Sequence, residues 1–297
     1  MDVPRLHSKG DIPTGECFYF GYGANMNSLS LAERGVQPTD SWPGTLTGYE
    51  LCFDVYAPYP SLLEPCYCNV RPHSDGVVHG VVHQLSPEAL RQLDRVEGDE
   101  YHRSLVTVRT YEGVEHSAFI YFMTPSYPAY ITELPRLPNP SARYLSILAN
   151  GARKAGLDAA YISWLQGQPS TPVPALTLTS EHLALIRGRQ FTLAEVEASA
   201  TVITASPDDR SSPLLCVLKG VVLDVGRFRP NFYRRFYGAK DCTIQTARRV
   251  PREDALIVTS ADQFNAQQCT YTNGCLHDLI VHFGPPLGYT NFDSYTF

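Results

Sequence analysis

The sequence lacks the features that mark secreted or membrane-spanning proteins. Residues 1–15 are polar and contain no apolar stretch like that of a signal peptide. No run of about 18 apolar residues, the length needed to span a bilayer, occurs anywhere in the chain. We therefore expect a cytoplasmic protein with no membrane partner.

The chain also lacks an excess of positive charge. It has 24 Lys and Arg against 30 Asp and Glu, a net charge of −6 and a pI near 5.8. Nucleic acids and anionic membranes attract basic surfaces, so this composition argues against either as the main partner. Residues 227–237 do interleave arginines with aromatic residues, but the stretch is short, and a packed amphipathic segment explains it better than base stacking.

Cysteine occurs eight times, but never as a C-x-x-C pair or with histidines at zinc-binding spacing. Cys66 and Cys68 lie two positions apart on a predicted strand, which puts both thiols on one face. A metal or redox site there is one interpretation, and packed free thiols are the better one. We expect no metal and no cofactor.

The chain of 297 residues is long enough for two domains. Its composition shifts abruptly toward proline, serine and threonine over residues 168–180, which is typical of a boundary. We predict a first domain over 1–168, a linker over 169–180 and a second domain over 181–297.

Alternating apolar residues in the first part predict strands at 45–56, 66–71 and 76–85, with a turn at 72–75, and a hairpin over 101–123. In the second part, residues 214–225 predict a hairpin that turns at Lys219 and Gly220. Thr192 and Glu195 form a capping box that predicts a helix start.

Three helices have clear start and stop signals. The first begins with Ser86 as cap and Pro87 at the first helical position, and it ends at Glu97 before Gly98. Ser141 and Asp158 cap two more, which end at Gly156 and Gly167.

The most informative stretch is residues 18–27, where an aromatic strand meets a two-glycine loop and a predicted helix over 24–34. Gly21 and Gly23 allow positive φ and close approach, and the first N–H groups of a helix have no intrahelical acceptor. The loop therefore predicts a nest of donors for a carboxylate, a phosphate or an oxyanion, although a plain turn is the alternative. A third glycine is missing, which argues against a dinucleotide site.

Glu97 is the candidate acid or base. A carboxylate at the C-terminal end of a helix meets the negative pole of the helix dipole, which favours taking up a proton. The alternative is a charged surface turn made of Asp94, Glu97, Asp99 and Glu100.

Several motifs in order resemble the γ-glutamylcyclotransferase family over roughly residues 17–167. The motifs are Tyr19 to Met26, Gly76 to Val82, Leu93 to Gly98 followed by Tyr101, Ile120 to Met123, the helix that contains Tyr144, and Gly151 to Leu157. The resemblance implies an α+β fold with a small closed β-barrel flanked by helices, here followed by a second, smaller α+β domain.

The resemblance also implies the site. The substrate loop would be formed by Gly21, Tyr22, Gly23, Ala24 and Asn25, and Glu97 would be the acid/base. Ala24 stands where serine is common in the family, so any hydroxyl contact of that serine is absent. Tyr121 and Tyr144 match pocket tyrosines, although barrel and helix packing would explain them equally well.

The implied reaction releases 5-oxoproline from a γ-glutamyl amide by attack of the substrate's own α-amine, with no metal or cofactor. The two-domain size resembles that of fungal family members in gliotoxin-type epidithiodiketopiperazine pathways. The expected partner is therefore a small γ-glutamyl peptide or a glutathione conjugate. A γ-glutamylamine cyclotransferase is an alternative.

The second domain loosely resembles the cytochrome b5 and membrane-associated progesterone receptor superfamily over segments between residues 191 and 243. The His-Pro-Gly-Gly haem motif of that superfamily is absent, and Tyr233 or Tyr237 could stand where the progesterone-receptor branch uses a tyrosine ligand. We favour a degenerate domain without haem. A non-catalytic haem- or sterol-binding protein is the competing interpretation.

Overall fold

The structure is a computed structural model that describes residues 6–7, 11–57, 61–98, 101–123, 131, 134, 136–200, 212–226, 237–249 and 258–291. The chain forms two compact units, one of residues 1–57 and 64–171 and the other of residues 58–63 and 172–297. The linker predicted over 169–180 stays a prediction. Val173, Leu176 and Leu178 in that range pack against the core of the second unit.

The strands of the first unit are β1 (Leu6–His7), β2 (Cys17–Gly21), β3 (Asp40–Tyr56), β4 (Cys66–Leu85), β5 (His102–Thr110) and β6 (Glu115–Phe122). Its helices are a 3₁₀ turn (Ala24–Met26), α1 (Ser28–Glu33), α2 (Pro87–Glu97), α3 (Ala142–Lys154) and α4 (Ala159–Gln166).

Five of these strands close into a barrel. The order is β5-β3-β4-β2-β6, and β6 pairs back with β5. All neighbours are antiparallel except β2 and β6, which are parallel. The predicted hairpin over 101–123 supplies β5 and β6, and the closed barrel expected from the family resemblance is confirmed.

The predicted turn at 72–75 does not end a strand. Instead, β4 continues from Cys66 to Leu85, and its register on β3 jumps from Thr47↔Val77 to Tyr49↔Pro72. The extra residues form an exposed bulge within a long antiparallel pair. Residues 72–75 are therefore exposed, as a turn would be, but they do not end the strand. The strand continues because the residues on both sides of them pair with β3.

The helix starts in the first unit are those predicted. The Ser86 hydroxyl accepts the Ala89 N–H at 3.2 Å, and Gly98 ends α2 at a φ of 64°. Ser141 and Asp158 likewise cap α3 and α4. The predicted helix over 24–34 is instead split into the 3₁₀ turn and α1, because Asn27 between them adopts extended dihedral angles.

Alternation along the strands gives the barrel wall two buried faces. Phe20 and Ile120 belong to one core, together with residues of α3. Their strand neighbours Tyr19 and Tyr121 belong to another, under α2. Since adjacent strand residues point to opposite faces, these tyrosines face the helix that ends in Glu97.

The second unit contains α5 (Ser180–Gly188), α6 (Leu193–Ala198), β7 (Leu215–Leu218), β8 (Val221–Asp224), β9 (Lys240–Asp241), α7 (Thr243–Ala247), a 3₁₀ turn (Ala261–Gln263), α8 (Ala266–Phe283) and β10 (Gly288–Tyr289). Its sheet has the order β10-β8-β7-β9. The predicted hairpin is present, and its turn has positive φ at Lys219 and Gly220. The capping box of Thr192 and Glu195 also forms as predicted.

This unit includes part of the connection between β3 and β4, which no local sequence signal predicted. The Ser61 hydroxyl donates to Oδ2 of Asp278 at 2.9 Å, and the Leu62 N–H donates to Oδ1 at 2.7 Å. Two hydrogen bonds to one buried carboxylate thus hold the connection on α8. The basic and aromatic residues 227–236, with Tyr233 among them, lie outside the described residues.

All eight cysteines are free thiols, and Cys66 and Cys68 are buried, which confirms their interpretation as packed thiols. In the part of the chain that the structure describes, no group of three or more His, Cys, Asp or Glu side chains could hold a metal ion. Among the same residues, no helix combines the length and the apolar character needed to cross a bilayer. Tyr237 is buried, and its hydroxyl accepts a hydrogen bond from Nη1 of Arg249 at 3.0 Å.

The tightest backbone crossing near the barrel loop predicts the effect of one substitution. A Cβ at Gly80 would lie 2.6 Å from the Gly21 carbonyl oxygen and 2.6 Å from the Phe20 ring. We expect Gly80→Ala to lower the free energy of unfolding by about 1–3 kcal/mol, because the strands must separate to admit the methyl group. Urea unfolding followed by circular dichroism measures this. Gly15→Ala is the control, since a Cβ there would have no neighbour within 4 Å, and equal midpoints for the two variants would contradict the prediction.

Candidate active site

The loop predicted to bind substrate folds back over the end of β2. A Cβ at Gly21 would lie 3.1 Å from the Asn25 carbonyl oxygen, and one at Gly23 would lie 2.8 Å from the Cys68 sulfur. Neither glycine has positive φ, so that part of the expectation is wrong. The two glycines serve close approach, because the loop passes directly over neighbouring atoms.

The 3₁₀ turn leaves donors at its start. Its first hydrogen bond runs from the Met26 N–H to the Gly23 carbonyl at 3.0 Å. The N–H groups of Ala24 and Asn25 precede that bond and therefore have no acceptor within the turn. This arrangement supports the predicted nest, and Ala24 supplies a backbone donor regardless of its missing hydroxyl.

Asn25 connects this loop to the end of α2. Its Nδ2 donates to Oε1 of Glu97 at 2.8 Å and to the Tyr19 hydroxyl at 2.9 Å. Its Oδ1 accepts from Nη1 of Arg34 at 2.7 Å. The structure thus brings together Asn25 and Glu97, which are 72 residues apart in sequence.

The chemistry of these partners fixes the orientation of the Asn25 carboxamide. A guanidinium can only donate hydrogen bonds, and an ionised carboxylate can only accept them. The oxygen must therefore face Arg34 and the nitrogen must face Glu97. Asn25 is 6% exposed, so water contributes little to these contacts.

His83 fixes the backbone of the same residue. Its Nε2 lies 2.9 Å from the Asn25 carbonyl oxygen, and its Nδ1 lies 2.8 Å from the Ser41 hydroxyl. Burial lowers the pKa of His83 to about 4, against which the hydrogen bond to Asn25 acts only partly, so the ring is neutral at pH 7. Since a carbonyl can only accept, Nε2 carries the proton and Nδ1 accepts from Ser41.

The phenols near Glu97 stay protonated. Burial raises the pKa of Tyr19, and the negative charge of Glu97 raises it further. Burial also raises the pKa of Tyr22 well above its ordinary value. Glu97 itself is partly exposed, unlike these phenols.

Tyr144 lies beside Gly23, and its assignment to the pocket stays a prediction, since it is also part of the buried core. A Cβ at Gly23 would lie 3.6 Å from the Tyr144 hydroxyl. That hydroxyl accepts the Cys68 N–H at 3.2 Å and lies 2.9 Å from the Cys68 sulfur. Burial raises the pKa of the Cys68 thiol to about 12, which makes it a packing group rather than a nucleophile.

Tyr121 supports the site from behind. Its hydroxyl donates to Oδ1 of Asp94 at 2.5 Å, and its backbone carbonyl accepts from the Tyr22 hydroxyl at 2.6 Å. Asp94 also forms an ion pair with Arg103 at 2.7 Å, and both side chains are buried. The charged surface turn is therefore wrong for Asp94, while Asp99 and Glu100 lie outside the described residues.

Arg34, His83 and the hydroxyl of Tyr19 were missed as functional residues by the sequence analysis. Tyr19 lay inside a recognised motif, where its aromatic character indicated only a strand. His83 occupies an ordinary strand position, and Arg34 follows a short helix. Their roles arise from contacts between distant segments, which local patterns do not encode.

The buried imidazole predicts a pH dependence of stability. Between pH 6.5 and about 4 the unfolded chain protonates His83 while the folded chain does not. The stabilisation is therefore complete above pH 6.5 and declines as pH falls toward 4, by about 3 kcal/mol in total.

The variant His83→Gln, which keeps a donor and an acceptor but does not titrate, should flatten the urea-unfolding free energy between pH 7 and 4.5. His73→Gln, at an exposed position in the bulge, is the matched control. The same pH dependence in wild type and His83→Gln would contradict this assignment.

Comparison with known proteins places the chain among γ-glutamyl cyclotransferases. The profile of the γ-glutamyl cyclotransferase, AIG2-like family matches residues 19–144. The γ-glutamyl cyclotransferase verK of Clonostachys rogersoniana is 32% identical over 160 residues, which cover 45% of this chain and 84% of that protein. The γ-glutamyl cyclotransferase gliK of Aspergillus fumigatus is 25% identical over 189 residues, which cover 54% of this chain and 66% of that protein.

Among solved structures, an uncharacterised human protein aligns over 56% of this chain and 95% of its own, with a TM-score of 0.46 and 24% identity. The extent of the match to the Clonostachys protein, together with the family profile over the barrel and its loop, determines the assignment. The chain belongs to the γ-glutamyl cyclotransferase family.

Proposed function

We propose that the chain is a cyclotransferase that releases 5-oxoproline from a γ-glutamyl amide, with Glu97 as the catalytic acid/base. The observation that carries this proposal is the hydrogen bond from Asn25 to Glu97. It holds the carboxylate at the end of α2 against a loop whose first N–H groups are available as donors.

The reaction needs three proton transfers. The substrate's α-ammonium loses a proton to Glu97, and the resulting amine attacks the γ-carbonyl carbon to form a five-membered tetrahedral intermediate. As the bond from that carbon to the amide nitrogen breaks, this nitrogen takes the proton back from Glu97, and the ring nitrogen loses its extra proton through Glu97 to water or to the released amine. Because nucleophile and electrophile belong to one molecule, the protein chiefly orients the substrate and moves the proton.

Asn25 orients the carboxylate for this transfer. Oε1 of Glu97 accepts the N–H of Asn25. Asn25 keeps Oε1 fixed in both protonation states. The carboxylate can therefore exchange a proton without losing its position.

The loop donors would hold a negative oxygen of the substrate. That oxygen is either the α-carboxylate or the oxyanion that develops on the γ-carbonyl, and N–H groups at the start of a helical turn suit both. The Tyr144 hydroxyl beside Gly23 would line the same pocket. Tyr121 would act one layer further out, through Tyr22.

For the substrate, we propose a glutathione conjugate such as an epidithiodiketopiperazine precursor. Similarity to two fungal γ-glutamyl cyclotransferases supports this choice. The chain also has a second unit beyond the matched family region, which simple γ-glutamyl dipeptides would not require.

The test is 5-oxoproline release from γ-glutamyl-alanine, glutathione, a bulky glutathione S-conjugate and ε-(γ-glutamyl)-lysine. We expect the S-conjugate to be the best substrate by kcat/KM. Activity on γ-glutamyl dipeptides alone would refute the proposed substrate, and preference for the lysine amide would indicate a γ-glutamylamine cyclotransferase.

Glu97→Gln should lower kcat by about 100-fold or more, because the amide still accepts from Asn25 but cannot carry the proton. Glu88→Gln, on the exposed side of the same helix, is the matched control and should retain wild-type activity. Circular dichroism checks that both variants fold. Undiminished release by Glu97→Gln would show that another group performs the proton transfer.

A further inference from the structure

We propose that Arg34 is a positioning residue for this reaction, which acts on Glu97 through the Asn25 carboxamide. The inference rests on the proposed function and adds a residue that neither motif nor spacing indicated. Its basis is a continuous chain of contacts from Arg34 to Asn25 and from Asn25 to Glu97.

Arg34 is tied to α2 from two sides. Its backbone carbonyl accepts from Nε2 of Gln92 at 2.9 Å, and Gln92 lies on the helix that ends in Glu97. Its guanidinium donates to Asn25, which returns to the same helix at Glu97. Hydrogen bonds of both the backbone and the side chain of Arg34 therefore hold the segment after α1 against α2.

The guanidinium selects one of the two orientations of the carboxamide. With Oδ1 held by Arg34, Nδ2 faces the Glu97 carboxylate and donates to it. Rotation by half a turn would place Oδ1 against a carboxylate oxygen, and two acceptors repel each other. A charge-assisted hydrogen bond from Arg34 opposes that rotation more strongly than a neutral donor could.

Arg34 also supplies positive charge close to the carboxylate. The charges of Arg34 and Glu97 act in opposite directions on the pKa of Tyr19, so both reach the same hydroxyl. Among the residues that the structure describes, the other titratable or charged groups around this cluster are Tyr22, Cys68, His83, Tyr101, Tyr144 and the Asp94–Arg103 pair.

These neighbours do not compensate for the loss of Arg34. Tyr22, Cys68 and Tyr144 are neutral at pH 7, because burial raises the pKa of each. His83 is neutral at pH 7, because burial lowers its pKa to about 4, and the charge of Arg103 is matched by that of Asp94. Removing Arg34 should therefore disfavour the ionised form of Glu97.

The experiment compares wild type, Arg34→Met and Arg34→Lys in 5-oxoproline release across pH. We expect Arg34→Met to lower kcat by about 10- to 100-fold, the loss typical of one hydrogen bond to a charged group, with little change in KM. The acidic limb of its kcat profile should move to higher pH. Arg34→Lys should return that limb toward the wild-type position, because it restores the charge.

Arg91→Met is the matched control. Arg91 lies on α2 and pairs with Glu88 on the exposed side of that helix, so its removal changes the net charge equally but should leave kcat and the acidic limb of the profile unchanged. If Arg34→Met melts at a markedly lower temperature than wild type, Arg34→Lys takes its place in the test. Its kcat and the pH of its acidic limb are then compared with those of wild type.

Three results would overturn the inference. They are an unchanged kcat and limb in Arg34→Met, a rise in KM alone, which would make Arg34 a substrate ligand, and an equal shift in Arg91→Met. Absence of 5-oxoproline release by wild type would instead refute the proposed function, so the two failures are distinguishable.

Discussion

The hydrogen bond between Asn25 and Glu97 is the contact on which the rest of the site depends. It joins the turn after β2 to the C-terminal end of α2, two segments that the barrel brings together. Each partner alone is an ordinary feature, a polar loop residue and a helix-end acid. Their contact holds the Glu97 carboxylate next to a turn whose first N–H groups have no acceptor within the turn, which is the arrangement that the proposed cyclisation would use.

A second, buried layer holds this contact in place. A hydrogen-bonded group under α2 consists of Arg103, Asp94 and Tyr121. The Tyr121 carbonyl also accepts a hydrogen bond from the hydroxyl of Tyr22, at the start of the loop. Burying an ion pair is costly unless further hydrogen bonds complete it, and the tyrosine supplies one here. Because the same network touches the helix and the loop, a shift of the helix would leave a buried charge unsatisfied, and a shift of the loop would break the buried hydrogen bond of Tyr22.

Local signals predicted what local interactions determine. Ser86, Pro87 and Gly98 define α2, including its end at Glu97, and these effects need no distant partner. The roles of Asp94 and His83 could not be predicted in this way, since both depend on strands far away in sequence. The barrel closure itself was expected from family resemblance, because strand patterns do not specify which strand pairs with which. The bulge in β4 shows the same limit, since an exposed turn signal was overridden by pairing with β3.

The most direct test of the account is a double-mutant cycle between Arg34→Met and Asn25→Ala on kcat/KM for 5-oxoproline release. If Arg34 acts through Asn25, the double variant should be no slower than Asn25→Ala alone, with a coupling energy of about 1–3 kcal/mol. If the two losses simply add, Arg34 and Asn25 act independently, and the relay from Arg34 to Glu97 does not exist.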